Sequence, residues 1–276
     1  MTGTLYVVST PIGNLSDITL RAIETLRTVD QIVAEDTRNT NRILDRYDIS
    51  TPFAESYYQG VERERTPHLL RLLEQGKNLA LVSDAGTPLI SDPGYPLVRE
   101  ALERGIPVVP IPGPTALIAA LTGSGLPADH FAFDGALPRK SGEREAYLRS
   151  IAHEARTVIV HSSPHRLFSD LEAIATILPE REVVLARELT KVHEEFLRGT
   201  AQQVLDRLRT RGEAKGECIL LLAGADVAEE SANRELAQQL AELLTREGIS
   251  GKAGLRILML ATGMRRNEAY PLLHSP

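Results

Sequence analysis

The sequence predicts an α/β protein with two α/β domains, followed by a small helical region. Short apolar strands alternate with amphipathic helical segments, as expected of βαβ units. Loops rich in proline and glycine follow three strands of the first half. Beyond Gly224 the composition becomes polar and rich in Ala, Glu and Gln. We therefore expect a first domain at 1–118, a second at 119–226 and a helical appendage at 227–276.

Length, charge and cysteine content narrow the functional classes. A chain of 276 residues can bury a sizeable core, and no apolar run reaches the ~18 residues that a membrane span requires. The single cysteine, Cys218, cannot form an intrachain disulfide, which favours a reducing compartment. No signal-peptide pattern is visible, so a cytoplasmic protein is expected. The net charge of −6 argues weakly against a nucleic-acid partner.

Strand and helix signals alternate through the first half. Ser16 and Asp17 are expected to cap the first helix, and Gly76 to close the third. The predicted strands are 5–9, 31–34, 52–54, 78–82 and one around Val108. Five helices are predicted here: one that starts after Asp17, one over 37–47, one that ends near 75, and two that start near 95 and 115.

The second half repeats this alternation. The joint between the domains is expected at 123–127, and the helix from Thr115 could belong to either side. The predicted strands are 130–133, 157–161, 182–187, 195–198 and 218–223. Five helices are predicted. The first carries an apolar stripe of Leu167, Leu171, Ile174 and Leu178, and the second covers 202–210. The third contains Leu236, Leu240, Leu243 and Leu244, the fourth covers 252–261, and a short fifth follows the turn at 262–266.

Three loops at strand ends predict a ligand site. They cover 10–14, 83–94 and 110–115. In open α/β sheets, ligands bind outside the carboxyl ends of the strands. Gly86 permits close approach of a ligand to the backbone, and Asp84 offers one acidic anchor. Each loop alone would be an ordinary turn, but three on one sheet favour a site for a sulfonium compound bearing ribose hydroxyls.

Several common motifs are absent from the sequence. There is no G-x-x-x-x-G-K-[ST], no G-x-G-x-x-G after the first strand, no H-E-x-x-H and no paired C-x-x-C. We therefore expect neither a P-loop NTPase, nor the usual dinucleotide-binding turn, nor a metal site. A Ser-His-Asp nucleophile is not excluded, but no G-x-S-x-G supports it.

Several stretches resemble one known family. They are 10–17, 34–38, 81–94, 112–114, 186–191 and 215–217. The most specific is Leu81-Val-Ser-Asp-Ala-Gly-Thr-Pro-Leu-Ile-Ser-Asp-Pro-Gly94. The chain resembles the bacterial ribosomal RNA small subunit methyltransferase I family along essentially its whole length. That family belongs to the tetrapyrrole-methylase-like class of S-adenosylmethionine enzymes.

The resemblance implies a fold, a cofactor and an activity. The fold has two α/β domains with the cofactor, S-adenosylmethionine, in the cleft between them, and members are usually homodimers. The implied activity is 2′-O-methylation of a cytidine ribose in 16S rRNA of the small ribosomal subunit. The chain departs from the family at Ser162, which stands where an acid is common, and at 56–59, where His and Asn are often found. No role is carried over to those positions.

The loops and the resemblance supply candidate cofactor and catalytic residues. The expected cofactor-binding residues are Pro11, Gly13, Asp84, Ala85, Gly86, Thr87, Pro88, Gly113, Pro114 and Thr115. Asp36 is the first candidate for a general base, because it follows the second strand at the same sheet edge. Its alternative role is the N-cap of the next helix. Lys191 and Glu188 form a second candidate pair, with a surface ion-pair network as the alternative.

Candidate RNA contacts are basic side chains near the predicted cleft and in the appendage. Arg38 suits bidentate contact with a phosphate, and His165 with Arg166 opens an amphipathic helix where a phosphate could bind. Arg265 and Arg266 are the candidates in the appendage. Three hypotheses follow: an rRNA ribose methyltransferase, a small-molecule methyltransferase with a tetrapyrrole-like substrate, and a ribosome-assembly factor without enzymatic activity. The first is favoured.

Overall fold

The computed structural model describes residues 2–212, 216–225, 227–249, 251–262, 264 and 266–274. In these residues the strands form two five-stranded sheets, one in each half of the chain. The strands are β1 Leu5–Val8, β2 Gln31–Ala34, β3 Phe53–Ser56, β4 Leu79–Val82, β5 Val108–Ile111, β6 Phe131–Ala136, β7 Thr157–Ser162, β8 Glu182–Arg187, β9 Glu195–Thr200 and β10 Cys218–Leu222. The helices are α1 Leu20–Thr28, α2 Thr37–Arg46, α3 Glu62–Glu74, α4 Tyr95–Glu103, α5 Ala116–Ser124, α6 Ser141–Ser150, α7 Leu167–Ile177, α8 Ala201–Arg211, α9 Val227–Arg246, α10 Gly251–Thr262 and α11 Arg266–His274.

The first sheet is parallel throughout, in the order β3-β2-β4-β1-β5. Its strands are short and apolar because both faces are covered by helices. Helices α1 and α2 share a buried cluster on one face, and α3 and α4 share another on the opposite face. Strand β1 lies between β4 and β5, so the loops after these three strands emerge side by side. The three loops follow strands of one sheet, as the sequence predicted.

The second sheet is mixed, in the order β6-β7-β10-β8-β9. Only β6 and β7 are parallel neighbours, while β10 runs antiparallel to β7 and β8, and β8 to β9. The predicted strands of the second half are present, but most of them pair antiparallel, unlike those of the first half. Helices α6, α7 and α8 cover one face of this sheet, and α5 covers the other. Helix α5 thus crosses the expected boundary at 118 and packs on the second sheet.

One local expectation was wrong, and one helix was not predicted. Ser16 and Asp17 do not cap α1, because they lie inside a 3-10 turn over Leu15–Asp17. Thr19 caps α1 instead, and its hydroxyl accepts the Ala22 N–H at 3.1 Å. Helix α6 was not predicted, since only Leu148 of its residues is buried and no apolar stripe marks it. Gly76 follows α3 with φ +89°, as expected of a residue that ends a helix.

The C-terminal helices α9, α10 and α11 pack on one another around a small apolar cluster of their own. Ala237, Ala241 and Leu244 carry the buried side of α9, whereas Leu236 and Leu243 are exposed. The predicted helices are present. Of the leucines predicted to form the apolar side of α9, only some face the other two helices. No helix in the described ranges is both long enough and apolar enough to span a bilayer.

Candidate active site

A cavity of about 430 Å³ lies between the two sheets, at the carboxyl edge of the first. This volume falls in the range of roughly 300–1,000 Å³ that is usual for ligand pockets. The first domain and α5 contribute Ile12, Glu35, Asp84, Ala85, Gly86, Thr87, Ile90, Ser91, Asp92, Thr115, Ala116 and Leu117. The second domain contributes Gly135, Ala136, His161, Ala186, Leu189, Glu217, Cys218 and Ile219.

The three predicted loops brace one another and form one wall of this cavity. Thr10 and Gly86 exchange two backbone hydrogen bonds, of 2.8 and 3.0 Å. The hydroxyls of Ser9 and Thr87 lie 2.9 Å apart, and Thr87 Oγ1 donates to the Pro114 carbonyl at 3.2 Å. The loops after β1, β4 and β5 are therefore joined by hydrogen bonds into a single polar surface.

The carboxylates on this wall differ in how their oxygens are engaged. Asp84 Oδ1 accepts the Asp36 N–H at 2.9 Å, and its Oδ2 accepts Asn39 Nδ2 at 2.8 Å. Glu35 Oε2 accepts the Asp84 N–H at 3.4 Å. Burial raises the pKa of Glu35, and it raises the pKa of Asp92 to about 6 with help from the charges of Glu35 and Asp84. The first-domain wall is acidic, which suits a cationic ligand.

The predicted cofactor-binding residues divide between the cavity wall and the layer behind it. Asp84, Ala85, Gly86, Thr87 and Thr115 line the cavity. The other predicted residues, which do not line it, are Pro11, Gly13, Pro88, Gly113 and Pro114. Of these, Pro114 supports Thr87, and Gly113 packs against Ser9, where a Cβ would meet Ser9 Cβ at 2.9 Å. Those residues shape the loops rather than face the cavity.

Asp36 caps α2 and pairs with Arg38, which is the alternative that the sequence left open. Its Oδ1 accepts the Arg38 N–H at 2.8 Å, and the Arg38 guanidinium reaches Oδ2 at 2.6 Å. These hydrogen bonds lower the pKa of Asp36 to about 2. Asp36 is also not among the residues that line the cavity. A strongly acidic, fully engaged carboxylate outside the cavity is poorly placed as a general base.

Lys191 and Glu188 form an ion-pair network beside the cleft. Lys191 Nζ donates to Glu188 Oε1 at 2.9 Å and to Glu217 Oε2 at 3.3 Å. Burial acts to lower the pKa of Lys191, but these carboxylates outweigh it and raise the pKa above the usual value. An ammonium that is held protonated does not serve as a base. The network instead holds the β8–β9 loop, whose Lys191 side chain packs against Gly13 of the first domain.

The predicted RNA contacts have different surroundings. Arg38 is 88% exposed despite its pairing, and His165 is exposed. Arg166 is engaged within the second domain, where it donates to the carbonyls of Leu137 at 2.6 Å and Pro138 at 3.2 Å. It also lies 3.3 Å from the fully buried Asp170, so a role in RNA binding is not favoured. Arg265 and the Arg266 side chain lie outside the described residues, as does Lys215 of the 215–217 stretch.

Sequence reasoning missed the lining residues Glu35, Asp92 and His161. Burial lowers the pKa of His161, which favours the neutral imidazole, and its ring contacts Phe133 edge to face with the ring centroids 5.3 Å apart. Cys218 was expected in the core, and it also lines the cavity. Burial raises the pKa of its thiol to about 11, so it is protonated and unreactive. The sequence signal that could have indicated Asp92 is an acidic side chain in one of the predicted ligand loops, within Ser91-Asp-Pro-Gly94.

Backbone strain is concentrated in the two loops that flank the cavity. Leu89 and Ser91 have φ of 75° and 66° in the β4–α4 loop, and Glu188 and Thr190 have φ of 50° and 64° in the β8–β9 loop. Residues with a side chain rarely adopt these left-handed conformations. In the described residues, Asp48 is the only other non-glycine residue with positive φ. Strain of this kind clusters at functional sites.

Comparison with known proteins places the chain in a family. Residues 4–205 match the family described as Tetrapyrrole (Corrin/Porphyrin) Methylases. A protein of Synechocystis sp., named Ribosomal RNA small subunit methyltransferase I, is 48% identical over 98% of this chain and 97% of its own length. A protein of the same name from Escherichia coli O157:H7 is 44% identical over 97% and 93%. The chain belongs to the ribosomal RNA small subunit methyltransferase I family. The resemblance noted in the sequence is confirmed.

Solved structures share the fold of this methyltransferase family. The methyltransferase CobJ aligns with a TM-score of 0.62 and 22% identity, over 81% of this chain and 95% of its own. Uroporphyrin-III C-methyl transferase from Thermus thermophilus, complexed with S-adenyl homocysteine, aligns with a TM-score of 0.56 and 21% identity, over 80% and 97%. The predicted tetrapyrrole-methylase-like fold is confirmed. The family and this complex support S-adenosylmethionine as cofactor, as the sequence predicted.

The cavity also fits S-adenosylmethionine on its own chemistry. The acidic wall suits a sulfonium, and Gly86, whose φ of +90° favours glycine, lets a ligand approach the backbone closely. Ile12, Leu117 and Leu189 supply apolar surface from both domains. Within the described ranges, no group of three or more His, Cys, Asp or Glu residues is arranged to hold a metal ion.

Proposed function

We propose that this chain is an S-adenosylmethionine-dependent methyltransferase that acts on small-subunit rRNA and methylates the 2′-oxygen of a cytidine ribose in 16S rRNA. The observation that carries the proposal is the acidic cavity between the two domains, in a chain that matches rRNA methyltransferases over nearly its whole length. The assignment of the methylated oxygen to a ribose, and of the nucleotide to a cytidine, comes from the family resemblance.

The donor is proposed to lie against the loops after β1, β4 and β5. Asp84, Ala85, Gly86, Thr87 and Thr115 would hold it directly, and it supplies a methyl group on a positively charged sulfur. Pro11, Gly13, Pro88, Gly113 and Pro114 would keep the loops in shape. Positioning of the acceptor oxygen against that methyl group supplies much of the rate acceleration in such a displacement.

The remaining predicted residues receive positioning roles in this proposal. Glu188 and Lys191 fix the β8–β9 loop at the cleft. Asp36 caps α2, and the backbone N–H of Asp36 orients Asp84. These contacts support the cavity from outside, so the chemistry at the acceptor falls to other groups.

The exposed side of α2 is the proposed start of the RNA contact. Arg38, Arg42 and Arg46 recur every four residues, which places them about 6 Å apart along one helix face. All three are exposed, while Ile43 and Leu44 turn inward. The helix begins beside Asp84, so this arginine face leads away from the cavity. Such a row suits consecutive phosphates despite the net negative charge of the chain. His165, Arg265 and Arg266 are retained as further candidates.

A labelling experiment tests the proposal. The protein is incubated with methyl-labelled S-adenosylmethionine and either small subunits from a strain that lacks this activity, naked 16S rRNA, or a corrinoid precursor. Label on the ribose of one 16S cytidine is expected. Label on a base would contradict the ribose assignment, and turnover of the corrinoid without RNA would favour a small-molecule substrate. Failure to bind the donor in calorimetry would favour an assembly factor.

The proposal includes an assembly state and a location. A homodimer is expected from the family resemblance, and sedimentation equilibrium of the purified chain tests it. A cytoplasmic location follows if the substrate is the ribosomal small subunit.

A further inference from the structure

We infer that Asp92 is the general base that accepts the proton of the acceptor hydroxyl, an inference that rests on the proposed function. The hydrogen bonds that join the three loops come from Ser9, Thr10, Gly86, Thr87 and Pro114, so Asp92 is not needed to hold the loops together. Asp92 nevertheless lies on the cavity wall, partly buried, with Ile90 and Ser91 beside it.

Of the other acids of the cavity, Asp84 and Glu217 are engaged elsewhere, and Glu35 is held through one oxygen. Both oxygens of Asp84 accept hydrogen bonds from the start of α2. Glu217 is exposed and pairs with the Lys191 ammonium. Glu35 directs Oε2 to the backbone N–H of Asp84. Among the described residues, the one hydrogen-bonding group that acts on the Asp92 carboxylate is the Ser83 hydroxyl, which lowers its pKa.

The Ser83 hydroxyl donates to another acceptor in the structure. Its Oγ lies 3.3 Å from the Gly86 carbonyl, to which it donates. A hydroxyl has one proton, so this bond leaves the Asp92 carboxylate without that donor. The carboxylate of Asp92, on the cavity wall, is therefore open to a proton from a bound acceptor, as a base requires.

The step balances without any further reactant. The O–H bond of the acceptor breaks, and its proton moves to a carboxylate oxygen of Asp92. The oxygen electron pair forms the new O–C bond to the methyl carbon. The S–C bond breaks with its electron pair on sulfur, so the sulfonium leaves as a neutral thioether. The positive charge that disappears from sulfur is balanced by the negative charge that disappears from Asp92.

The electrostatics of the cavity agree with this role. Burial, followed by the charges of Glu35 and Asp84, raises the pKa of Asp92 to about 6, against the opposing Ser83 hydrogen bond. Across the cleft the titratable lining groups are His161, Glu217 and Cys218. A base is most effective when its pKa lies near the working pH. Asp92 is closer to that condition than Asp36, whose pKa is about 2.

Two variants and one spectroscopic titration test the inference. Asp92→Asn is expected to lower kcat by ~10²-fold or more, because a general base contributes about 10²–10⁴-fold, with little change in donor affinity by calorimetry. Asp129→Asn, at an exposed acid outside the cavity lining, is the matched control and should keep the full rate. Glu35→Gln should move the acidic limb of the pH–rate profile to lower pH, because it removes a negative charge that raises the pKa of Asp92.

Carbon-13 NMR of the aspartate carboxyls gives a readout independent of turnover. In the donor-free full chain, one resonance should titrate near pH 6, disappear in Asp92→Asn and shift to lower pH in Glu35→Gln. An active wild-type protein with an equally active Asp92→Asn variant would overturn the inference and leave the proposed function standing. So would an unshifted pH profile in Glu35→Gln. A wild-type protein that methylates no RNA would overturn the proposed function, and this inference with it.

Discussion

The side chain of Lys191 in the second domain packs directly on Gly13 in the first. A Cβ built on Gly13 would lie 2.6 Å from Lys191 Cγ and 2.9 Å from Thr190 Oγ1. Two loops from different domains therefore meet at a position that has no room for a methyl group. The same Lys191 holds Glu188 and Glu217 through its ammonium, so this contact connects the first domain to the wall of the cavity.

Gly13→Ala is expected to weaken donor binding and to destabilise the fold. Overpacking at a closely fitted position costs roughly 1–3 kcal/mol, and here the β8–β9 loop must shift to relieve it. Thermal denaturation and calorimetry with S-adenosylmethionine measure the two effects. Gly142→Ala is the control, because no atom lies within 4 Å of a Cβ there and alanine favours the α6 helix. Equal stability and donor affinity in Gly13→Ala would show that the loop contact is unimportant.

Ser162→Ala is expected to destabilise the second domain. Ser162 Oγ donates to Oδ2 of the fully buried Asp170 at 2.9 Å. Loss of a hydrogen bond to a buried charged group costs roughly 1–3 kcal/mol of unfolding free energy. Urea denaturation measures this change, and Ser163→Ala, at the exposed neighbour, should leave the free energy unchanged. A Ser162→Ala protein as stable as wild type would mean that Arg144 and Arg166 satisfy Asp170 without the hydroxyl.

Asp92→Asn is expected to stabilise the folded protein at alkaline pH. The folded pKa of about 6 lies above the ordinary value of 3.8, so the stability contributed by Asp92 is present below pH 4 and is lost as the pH rises through 6. The amide has no charge to lose, so the unfolding free energy at pH 8 should rise by about 1–3 kcal/mol. No difference is expected at pH 3.5. The test is to measure the melting temperatures of the wild-type protein and Asp92→Asn from pH 3.5 to pH 8. A lower melting temperature of Asp92→Asn than of wild type at pH 8 would contradict the prediction.

Arg42→Ala is expected to weaken RNA binding and to reduce its salt dependence. Removing one arginine–phosphate pair reduces the slope of log K against log salt by about 0.7–0.9. Arg71→Ala is the matched control, because Arg71 is an exposed arginine on α3, which packs on the opposite face of the first sheet. Binding of a 16S rRNA fragment at several salt concentrations measures both slopes. Identical slopes for Arg42→Ala and Arg71→Ala would remove the α2 face from the RNA interface.

The strands and the ligand edge could be predicted because they depend on local patterns. Runs such as 31–34 and 182–187 have apolar centres that contain β-branched residues, and the structure places strands over the same residues. Pairing direction is different, because it depends on the path of the chain between strands. The antiparallel β8–β9 pair therefore gave no signal that distinguished it from a parallel one.

The site could be predicted at the level of loops but not of individual carboxylates. Asp36, Asp84 and Asp92 all lie at the carboxyl edge of one sheet. The sequence does not indicate which of these side chains caps a helix and which faces the ligand. The structure separates them, since Asp36 binds Arg38 and the backbone of α2 while Asp92 faces the cavity. The contribution of the second domain, including His161, depends on how the two sheets face each other, which no local pattern encodes.

The left-handed backbone at Leu89, Ser91, Glu188 and Thr190 has a consequence for engineering this enzyme. Glycine would adopt those conformations at lower energy, so a screen that rewards heat resistance alone should enrich glycine at Ser91, which is exposed, and at Thr190, whose buried hydroxyl has no hydrogen-bond partner among the described residues. Leu89 and Glu188 should be kept, because Leu89 packs on the core and Glu188 pairs with Lys191. A screen that rewards turnover should keep the original side chains, because the same segments border the substrate cleft. Running both screens on one library would separate residues that maintain the fold from residues kept for catalysis.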